Sequence, residues 1–521
     1  MPKTVDLSVH PDVLLDHGEL TAVAAKRAGV RGHHVVRAIV RRRSIDARRG
    51  RVQIRLTVEL QMMGDAAPAG AVQPVSLPSL TDAPRVAIVG AGPAGMFCAW
   101  SLARAGIRSV ILERGQRVQA RRRDLAALVR RGALNPESNY CFGEGGAGTF
   151  SDGKLYTRAS KRGDTKAVLE AFVGYGASPD IAVDARPHIG TNRLPNVITA
   201  MREHLQNAGV EFVFGARVDD LVCKGGTVSG VRLADGTVVD AQAVVVAPGH
   251  SAGDVHRWLI KAGAAVSAKP FAIGVRVEHS QAWIDRCQFG DLAGHPALGA
   301  AAYRLVQQVD GTGVFSFCMC PGGFIAPAAT VDGQLVVNGW SPSSRRGRFA
   351  NSGFVAEVGP ERLAAAGLNP DDPLSGAQFQ QRLEQRAYTA GGGAFTAPAQ
   401  RLADFVGGRV SKDLPECSYP RGLLSCELTD VLQDLAAPLR AALVAIDRRM
   451  PGFAGHDAVA VAVESRTSSP VRVDRDRDTL QSPTLPGLYP VGEGAGFAGG
   501  IMSAALDGIR AAEAIARVAE S

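Results

Sequence analysis

Apolar positions along this chain cluster into short runs that alternate with glycine-rich turns and amphipathic stretches. The clearest run, residues 86–89, predicts a buried parallel strand, and helical apolar spacing follows at residues 96–104. Gly106 ends this predicted helix, and a second apolar run at residues 109–112 leads directly to Glu113. The pattern therefore predicts a strand–helix–strand unit with an acidic residue at the tip of its second strand.

The glycines between the first strand and the helix have the spacing Gly90-x-Gly92-x-x-Gly95. Gly90 permits a tight turn, Gly92 lets the backbone approach a pyrophosphate, and Gly95 lets helix and strand pack closely. The helix N-terminus offers unpaired N–H groups and a positive dipole end to the phosphates, and Glu113 can accept hydrogen bonds from a ribose 2′-hydroxyl. Because all of these parts occur together, we predict a dinucleotide site rather than an ordinary glycine turn.

Residues 1–75 have a separate pattern that predicts a small α+β module. A helix is expected at residues 19–28, strands at 5–9, 34–42 and 51–60, and a turn at 44–50. The hairpin is rich in arginine, at Arg37, Arg41, Arg42, Arg43, Arg48, Arg49, Arg51 and Arg55. We favour a solvated basic surface over an anion- or RNA-binding face. Residues 64–84, rich in Ala, Pro, Gly and Ser, predict a linker.

A second glycine-rich segment follows the dinucleotide unit, with four glycines in residues 143–148. Backbone amides in such a loop can face a ligand without side chains in the way. Ser151, Asp152, Lys154 and Tyr156 come directly after it. Because polar and ionisable groups follow the glycines at once, we expect a ligand-facing loop rather than a flexible connection.

The remaining pattern divides the chain into two further regions. Helices are predicted at 116–131, 196–207 and 503–518, and strands at 210–218, 243–247 and 488–491, with hairpin signals over 221–240. Residues 260–460 contain several short strands, including 313–319 and 334–339, and carry no dinucleotide signature. We therefore assign residues 85–255 and 461–521 to one discontinuous nucleotide-binding domain, and residues 256–460 to an inserted α+β substrate domain.

Length and composition narrow the classes of protein that remain. The chain has 521 residues, enough for two or three domains, and a net charge of +8, which is more typical of a solvated surface than of a nucleic-acid binder. No apolar run approaches the roughly 18 residues of a membrane helix, and the N-terminus lacks a signal-peptide pattern. We expect a cytoplasmic protein without a membrane partner.

Cysteine usage gives little sign of metal or redox chemistry. The eight cysteines include no CxxC pair, so no zinc ribbon or thioredoxin-like pair is indicated and no metal site is predicted. The one close pair is Cys318-Met-Cys320, whose side chains would share one face of a strand. We interpret these two residues as buried structural thiols in preference to a redox pair.

Three segments of the chain resemble the cofactor segments of flavoproteins with the glutathione-reductase-type FAD domain. They are residues 90–95, 247–249 and 492–500. In that group the third segment usually reads Gly-Asp, with the acid on the ribityl chain, whereas this chain has Gly492-Glu493. The middle segment usually reads Ala-Thr-Gly, and Pro248 replaces the threonine here.

More specifically, the chain resembles a family of bacterial FAD-dependent dehydrogenases. The shared runs are residues 44–48, 142–154, 187–191, 249–251, 316–323, 397–400, 464–471 and 492–496, so the resemblance covers nearly the whole chain. It implies FAD, an oxidoreductase role and an α/β fold, namely a Rossmann-like FAD-binding domain with an inserted α+β substrate domain and a small N-terminal α+β module. It does not imply a particular reaction, substrate or electron donor or acceptor.

The residues expected at the site follow from these segments. One complete dinucleotide unit is visible, and Cys98 has no neighbour to pair with, so we expect one FAD and no separate nicotinamide domain. The expected cofactor contacts are Gly90, Gly92, Pro93, Ala94, Gly95, Glu113, Arg114, Arg121, Gly145, Gly146, Ala147, Gly148, Thr149, Val218, Ala247, Gly249, Gly492, Glu493, Gly500, Ile501 and Met502. The helix that begins near Gly500 should direct its N-terminus at the flavin N1/C2 oxygen.

Two functions remain open from the sequence. The first is an FAD-dependent oxidoreductase that moves a hydride between flavin N5 and a small organic substrate bound between the two domains. Lys154, His188 and His250 are candidates for proton transfer there, and Arg466 could pair with a substrate carboxylate or with Glu464. The second is an RNA-acting flavoprotein whose basic hairpin docks nucleic acid. Residues 31–60 contain no Phe, Tyr or Trp among the arginines, which favours the first function.

Overall fold

The computed structural model describes residues 3–48, 51–65, 72–82, 85–157 and 163–520. Its strands are β1 (Lys3–Val9), β2 (Val35–Asp46), β3 (Gln53–Met62), β4 (Val86–Val89), β5 (Ser109–Glu113), β6 (Glu211–Phe214), β7 (Val218–Lys224), β8 (Thr227–Leu233), β9 (Val238–Asp240), β10 (Ala243–Val246), β11 (Val266–Ala268), β12 (Phe271–Ser280), β13 (Val306–Val309), β14 (Thr312–Pro327), β15 (Val337–Trp340), β16 (Phe349–Val358), β17 (Ala397–Arg401), β18 (Leu423–Ser425), β19 (Val459–Glu464), β20 (Val471–Val473) and β21 (Leu488–Pro490). Its α-helices are α1 (His17–Ala28), α2 (Pro93–Arg104), α3 (Val118–Arg131), α4 (Thr165–Gly174), α5 (Leu194–Ala208), α6 (Gly253–Lys261), α7 (Gln281–Phe289), α8 (Pro360–Ala365), α9 (Ser375–Ala390), α10 (Leu402–Gly407), α11 (Leu428–Leu432), α12 (Ala436–Asp447) and α13 (Ile501–Glu520).

The predicted strand–helix–strand unit forms the centre of a five-stranded parallel sheet in the order β21-β10-β4-β5-β6. Strands β4, β5 and β10 are buried along their whole length, as expected for a parallel sheet covered on both faces. Helices α2 and α13 pack together, and α2 also packs against α5. This is the Rossmann-type core that the apolar pattern predicts, and the mixed α/β class is confirmed.

One predicted strand is two in the structure. Residues 210–218 are interrupted at Gly215, whose φ of 70° lies in the left-handed region that favours glycine. Strand β6 before the break joins the parallel sheet, whereas β7 after it begins an antiparallel sheet of order β7-β8-β9. The apolar pattern alone could not show this change of sheet, because both halves are apolar.

The inserted region is built on an eight-stranded sheet. Its order is β13-β14-β16-β12-β19-β17-β18, with β15 paired to β14. Strand β19 lies between β12 and β17, so the return to the nucleotide-binding domain comes after Glu464 and not at residue 461 as predicted. The predicted strands 313–319 and 334–339 correspond to the much longer β14 and to β15.

The N-terminal module is a three-stranded sheet of order β1-β3-β2 with α1 packed on it. Its predicted helix and strands are confirmed with shifted ends: β2 runs on to Asp46 through part of the predicted turn, while Arg49 and Gly50 lie outside the described residues. The buried side chains of β3, including Ile54 and Leu60, belong to the same hydrophobic core as the eight-stranded sheet. The module is therefore docked on the rest of the chain.

The predicted linker is partly packed. Within residues 64–84, positions 66–71 and 83–84 lie outside the described residues. Leu80 is buried, and its amide donates to the Ala208 carbonyl at the end of α5. This part of the segment is held against the nucleotide-binding domain.

Across the residues that the structure describes, no helix is long and apolar enough to cross a membrane.

Candidate functional site

A long cleft runs along the carboxyl ends of the parallel strands and faces the eight-stranded sheet. In open α/β sheets, ligands bind in the crevice at this end of the strands. We call the wall from the parallel sheet the cofactor face; it comprises Gly90, Gly92, Pro93, Ala94, Glu113, Arg114, Ala247, Gly249, His250, Gly492, Glu493, Gly500 and Ile501. We call the opposite wall the substrate face; it comprises Phe317, Cys318, Cys320, Asn338, Gly339, Trp340, Arg466 and Thr467.

The first glycine turn of the cofactor face has two crowded glycine positions and one open position. A Cβ on Gly90 would lie 2.4 Å from the Ala247 carbonyl oxygen, and one on Gly95 would lie 2.0 Å from the Gly90 carbonyl oxygen. Gly92 differs, because its nearest neighbour would be Gly146 Cα at 3.9 Å. Gly95 thus serves packing behind the cleft, and Gly92 faces open space at the start of α2. No described side chain caps that helix, so its first amides remain for an anion.

Glu113 stands at the end of β5 and joins three loops. Its carboxylate accepts hydrogen bonds from the amides of Ala91 (2.9 Å), Gly115 (2.8 Å) and Gly143 (3.0 Å). A carboxylate has about four lone-pair sites, so one direction remains for a ligand hydroxyl. Glu113 also lines the cleft. The ribose contact stays a prediction, whereas the hydrogen bonds by which Glu113 holds the three loops together are present in the structure.

The structure assigns Arg121 a different position from the one expected. Its guanidinium is fully buried and donates to the carbonyl oxygens of Asn139, Tyr140, Glu144 and Gly146, and it does not line the cleft. Burial lowers the pKa of Arg121 to about 10. Arg121 is therefore the internal support of the glycine loop and not a cofactor contact, since carbonyls of the loop and of the residues just before it engage all three of its nitrogens.

The glycine loop connects the two faces. Gly146, Ala147, Gly148 and the segment 151–154 line the cleft, as predicted. Gly145 and Thr149 do not; the Thr149 hydroxyl donates to the Glu144 carbonyl beneath the loop. Gly148 lies against Ile501, since a Cβ on Gly148 would be 3.1 Å from that side chain. The loop therefore spans from the first helix of the cofactor face to the N-terminus of α13.

The N-terminus of α13 closes the cofactor face. Gly500 and Ile501 line the cleft, whereas Met502, which we expected beside them, is buried behind the helix and does not. Glu493 stands at the same end, where burial raises its pKa to about 7 against the opposing effects of the Gly500 backbone amide and the Lys269 charge. A carboxyl that is partly protonated near neutral pH can donate as well as accept a hydrogen bond.

The remaining expected cofactor contacts also line the cleft. Val218, Ala247 and Gly249 lie along it, and so does Arg114. The Arg114 guanidinium is held by Glu137 at 2.7 Å and Asp254 at 3.0 Å, and stacks 4.3 Å over the Phe142 ring. Its orientation is thus fixed by neighbouring protein groups before any ligand binds.

Lys154 lies at the end of the glycine loop and points into the cleft. Its Nζ is 3.6 Å from Asp152 Oδ2 and 3.7 Å from Cys320 Sγ, while Arg345 donates to the same Asp152 oxygen at 2.7 Å. Burial lowers the pKa of Lys154, but the interactions with Cys320 and Asp152 outweigh this effect and the net shift is upward. Lys154 is therefore a fixed positive charge in the cleft wall.

The two candidate histidines have different environments. His188 pairs with Lys154 in a single β-bridge, its Nε2 lies 3.1 Å from the Ser343 carbonyl oxygen, and it does not line the cleft. His188 thus supports the strand behind Lys154. His250 does line the cleft, with its Nδ1 2.8 Å from the Ser251 hydroxyl. Burial and the nearby Arg466 lower the pKa of His250 to about 4, so it is neutral at pH 7.

Arg466 lines the substrate face but is already paired. Its guanidinium binds both carboxylate oxygens of Glu384 at 3.0 Å and donates to Thr330 at 2.8 Å. Glu464 pairs instead with Arg276 at 2.7 Å, and both of these side chains are fully buried. Of the two alternatives left open for Arg466, the pair with Glu464 is therefore wrong, because each side chain already has another ionic partner.

Sequence reasoning missed most of the substrate face. Tyr140 and Trp340, with ring centroids 4.4 Å apart, line the cleft although no motif marks them. Cys318 and Cys320 were interpreted as buried structural thiols, yet both line the cleft and Cys318 is exposed. Their two-residue spacing was the available signal. That spacing does not show that β14 lies opposite the glycine loop.

Four of the eight arginines of the basic hairpin pair with acidic side chains. Arg41 pairs with Glu59, Arg43 with Asp184, and both Arg48 and Arg55 with Asp46. None of the described residues of the N-terminal module lines the cleft. This arrangement favours the solvated surface over a nucleic-acid face.

Comparison with known proteins agrees with this geometry. Residues 84–252 match an FAD-binding domain, residues 270–467 match a family described as FAD-dependent protein, C-terminal domain-like, and residues 1–61 match a domain of unknown function. An uncharacterized protein of Clostridium beijerinckii is 42% identical over 436 residues, which are 83% of this chain and 80% of that protein. The chain belongs to this FAD-dependent family. FAD is its cofactor, and the protein is FAD-dependent.

More distant matches are also flavoproteins. A probable electron transfer flavoprotein-quinone oxidoreductase of Escherichia coli is 26% identical over 227 residues, covering 41% of this chain and 49% of that protein. Among solved structures, CtdE in complex with FAD and a substrate has 12% identity and a TM-score of 0.34, with 83% of this chain and 80% of CtdE covered. The matches support an FAD-binding domain joined to an FAD-dependent C-terminal domain, and they do not single out the glutathione-reductase type that we expected.

Proposed function

We propose that this FAD-dependent protein is a dehydrogenase or reductase that moves a hydride between flavin N5 and a small organic substrate on the substrate face. Bound FAD supplies the hydride chemistry, which no protein side chain offers. The amides at the start of α2 would hold the pyrophosphate, Glu113 the ribose, and Gly492 and Glu493 the ribityl chain. The N-terminus of α13 would then lie beside the ring.

The observation that carries this proposal is the position of Lys154. A fixed ammonium stands in the wall that joins the cofactor face to the substrate face, with its charge supported by Asp152 at 3.6 Å. A positive charge there favours a reduced, anionic flavin, and the effect is strengthened in a low-dielectric cleft. His250 adds a neutral hydrogen-bonding group to the same space.

The substrate face is suited to a small molecule with a planar or unsaturated part. Trp340, Tyr140 and Phe317 supply aromatic surface, while Asn338 and Thr467 supply polar groups that can fix an orientation. Arg466, the cationic side chain of this wall, is already paired with the carboxylate of Glu384 within the protein. The electron donor or acceptor in the other half-reaction is left open by this proposal.

The test is a redox screen of the purified holoprotein under anaerobic conditions. Reduced protein is mixed with pools of small organic acceptors, oxidised protein with pools of donors, and the visible absorbance of the flavin is followed. We expect at least one organic compound to exchange electrons with the flavin, and Lys154→Met to slow that exchange. Lys166→Met, which removes an exposed lysine paired with Glu170, is the matched control and should not change the rate. Exchange with oxygen alone would contradict the proposal.

A further inference from the structure

Two cysteines line the cofactor cleft from one strand. Cys318 and Cys320 both line the cleft, whereas Met319 between them is buried in the hydrophobic core. The strand is irregular here: Phe317 is paired with Gly353 and Cys320 with Asn351, so β14 carries one residue more than β16. Such a bulge re-aims side chains and is common beside active sites.

At the bulge, the Cys320 sulfur lies against the backbone of Cys318. In a regular strand, residues two apart are separated by about 6.6 Å at Cα, near the upper limit of about 6.8 Å for a disulfide. Cys318 has a φ of 43°, a left-handed conformation that non-glycine residues rarely adopt, so the strand is locally distorted there. Accordingly, Cys320 Sγ lies only 3.1 Å from the carbonyl oxygen of Cys318.

Two cations contact this sulfur. Lys154 Nζ lies 3.7 Å from Cys320 Sγ and Arg276 Nη2 lies 3.5 Å from it. The same Arg276 nitrogen donates to the Cys318 carbonyl oxygen at 2.6 Å, so one guanidinium holds both ends of the pair. Burial raises the pKa of Cys318 to about 11, whereas the charges of Lys154 and Arg276 lower it. Both cations thus favour the thiolate of Cys318, the form of cysteine that reacts in thiol–disulfide chemistry. Each cation is also held by an acidic partner, Lys154 by Asp152 and Arg276 by Glu464, so its position beside the sulfur is fixed.

We propose that Cys318 and Cys320 form a redox-active dithiol that exchanges two electrons with FAD in this cleft. The proposal rests on the proposed function and deepens it by giving the substrate face a two-electron store of its own. On oxidation both S–H bonds are lost and one S–S bond forms. The two electrons and one proton pass to the oxidised flavin, and the second proton passes to water; reduction of the disulfide is the reverse.

The first test counts electrons in the holoprotein by anaerobic reductive titration with dithionite, starting from air-oxidised protein. Wild type should take up two electron pairs per FAD, and Cys320→Ser or Cys318→Ser only one. Cys287→Ser is the control, because Cys287 lies on α7 and does not line the cleft; it should still take up two pairs. Uptake of one pair by the wild type would overturn the proposal.

The second test reads the sulfur atoms directly and needs no variant. Air-oxidised and fully reduced holoprotein are unfolded in the presence of an alkylating agent, and the modified cysteines are located by mass spectrometry. We expect all eight cysteines to be alkylated after reduction and six before it, with the difference confined to Cys318 and Cys320. Equal labelling of these two residues in both samples would overturn the proposal.

These outcomes separate the dithiol from the hydride-transfer function. If the thiols stay reduced while organic compounds still exchange electrons with the flavin, the dithiol is wrong and the proposed function stands. If the disulfide forms but no organic compound reacts, the proposed function is wrong, and the dithiol itself is the substrate-side redox group.

Discussion

The two faces of the cleft are formed by different parts of the chain, one mainly by backbone and the other by side chains. The cofactor face consists mainly of backbone at strand ends and helix starts, where glycines such as Gly92 leave amides bare. The substrate face consists of side chains: aromatic rings, thiols and an arginine held by Glu384. The first face suits a cofactor that all related folds bind through its phosphates, and the second suits a ligand that is particular to this protein. Backbone recognition is local in sequence, whereas side-chain recognition depends on the long-range packing of β14, β15 and β19.

The largest effect should come from filling the open space at the cofactor face. We expect Gly92→Val to lower FAD affinity by at least about tenfold, equal to about 1.4 kcal/mol, because its side chain would occupy the space predicted for the pyrophosphate. A Cβ at this position meets only Gly146 Cα at 3.9 Å, so the fold should tolerate it. FAD content and circular dichroism of the purified variant check both parts. Full retention of FAD would show that the backbone at Gly92 does not approach the cofactor.

The second-largest effect concerns Lys154, at the end of the glycine loop that joins the two faces. We expect Lys154→Met to make the flavin harder to reduce, lowering its midpoint by tens of millivolts, since 30 mV is about 1.4 kcal/mol for a two-electron couple. FAD content should change little, because Lys154 stands apart from the α2 turn. A redox titration beside the Lys166→Met control measures the shift. An unchanged midpoint potential would show that Lys154 does not lie near the flavin ring.

A smaller effect concerns the acid of the third glycine segment. Because burial raises the pKa of Glu493 to about 7, its ionisation costs stability as pH rises from the unfolded value of 4.5 through 7. Glu493→Gln should therefore melt at the same temperature as wild type at pH 4.5 and roughly 1–2 °C higher at pH 8. Thermal melts with and without added FAD test this. A variant that is less stable than wild type at pH 8 would show that the charged carboxylate is needed.

The smallest effect lies far from both faces, on the basic hairpin. Since Arg41, Arg43, Arg48 and Arg55 already have carboxylate partners, we expect tRNA binding no tighter than the non-specific range of about 10⁻⁴–10⁻⁶ M at physiological salt. A filter-binding or fluorescence titration at two salt concentrations measures it. Structure-selective binding below micromolar would instead support the RNA-acting alternative.

The sequence by itself determined the cofactor half of this protein. The strand–helix–strand unit, the glycine turn, Glu113 and the segments at Gly249 and Gly492 are each contiguous or closely spaced in the chain. Backbone recognition of a phosphate needs only a strand end, a turn and a helix start, all of which are local. This is why Gly90, Gly92, Glu113, Gly249 and Gly492 line the cleft where their spacing placed them. Five other expected cofactor contacts do not line it, namely Gly95, Arg121, Gly145, Thr149 and Met502.

Tertiary structure alone decided the substrate half. Arg466 could not be assigned to Glu384 over Glu464, because the choice depends on how α9 packs against β19 and not on the two positions that separate Arg466 from Glu464. Strand alternation predicted that Cys318 and Cys320 share one face, and both line the cleft; alternation could not show that this face of β14 meets the cofactor face. Lys154 and Cys320 are 166 residues apart and meet only because the glycine loop crosses to β14. Contacts of this kind arise from the meeting of two sheets, and no pattern within one segment encodes them.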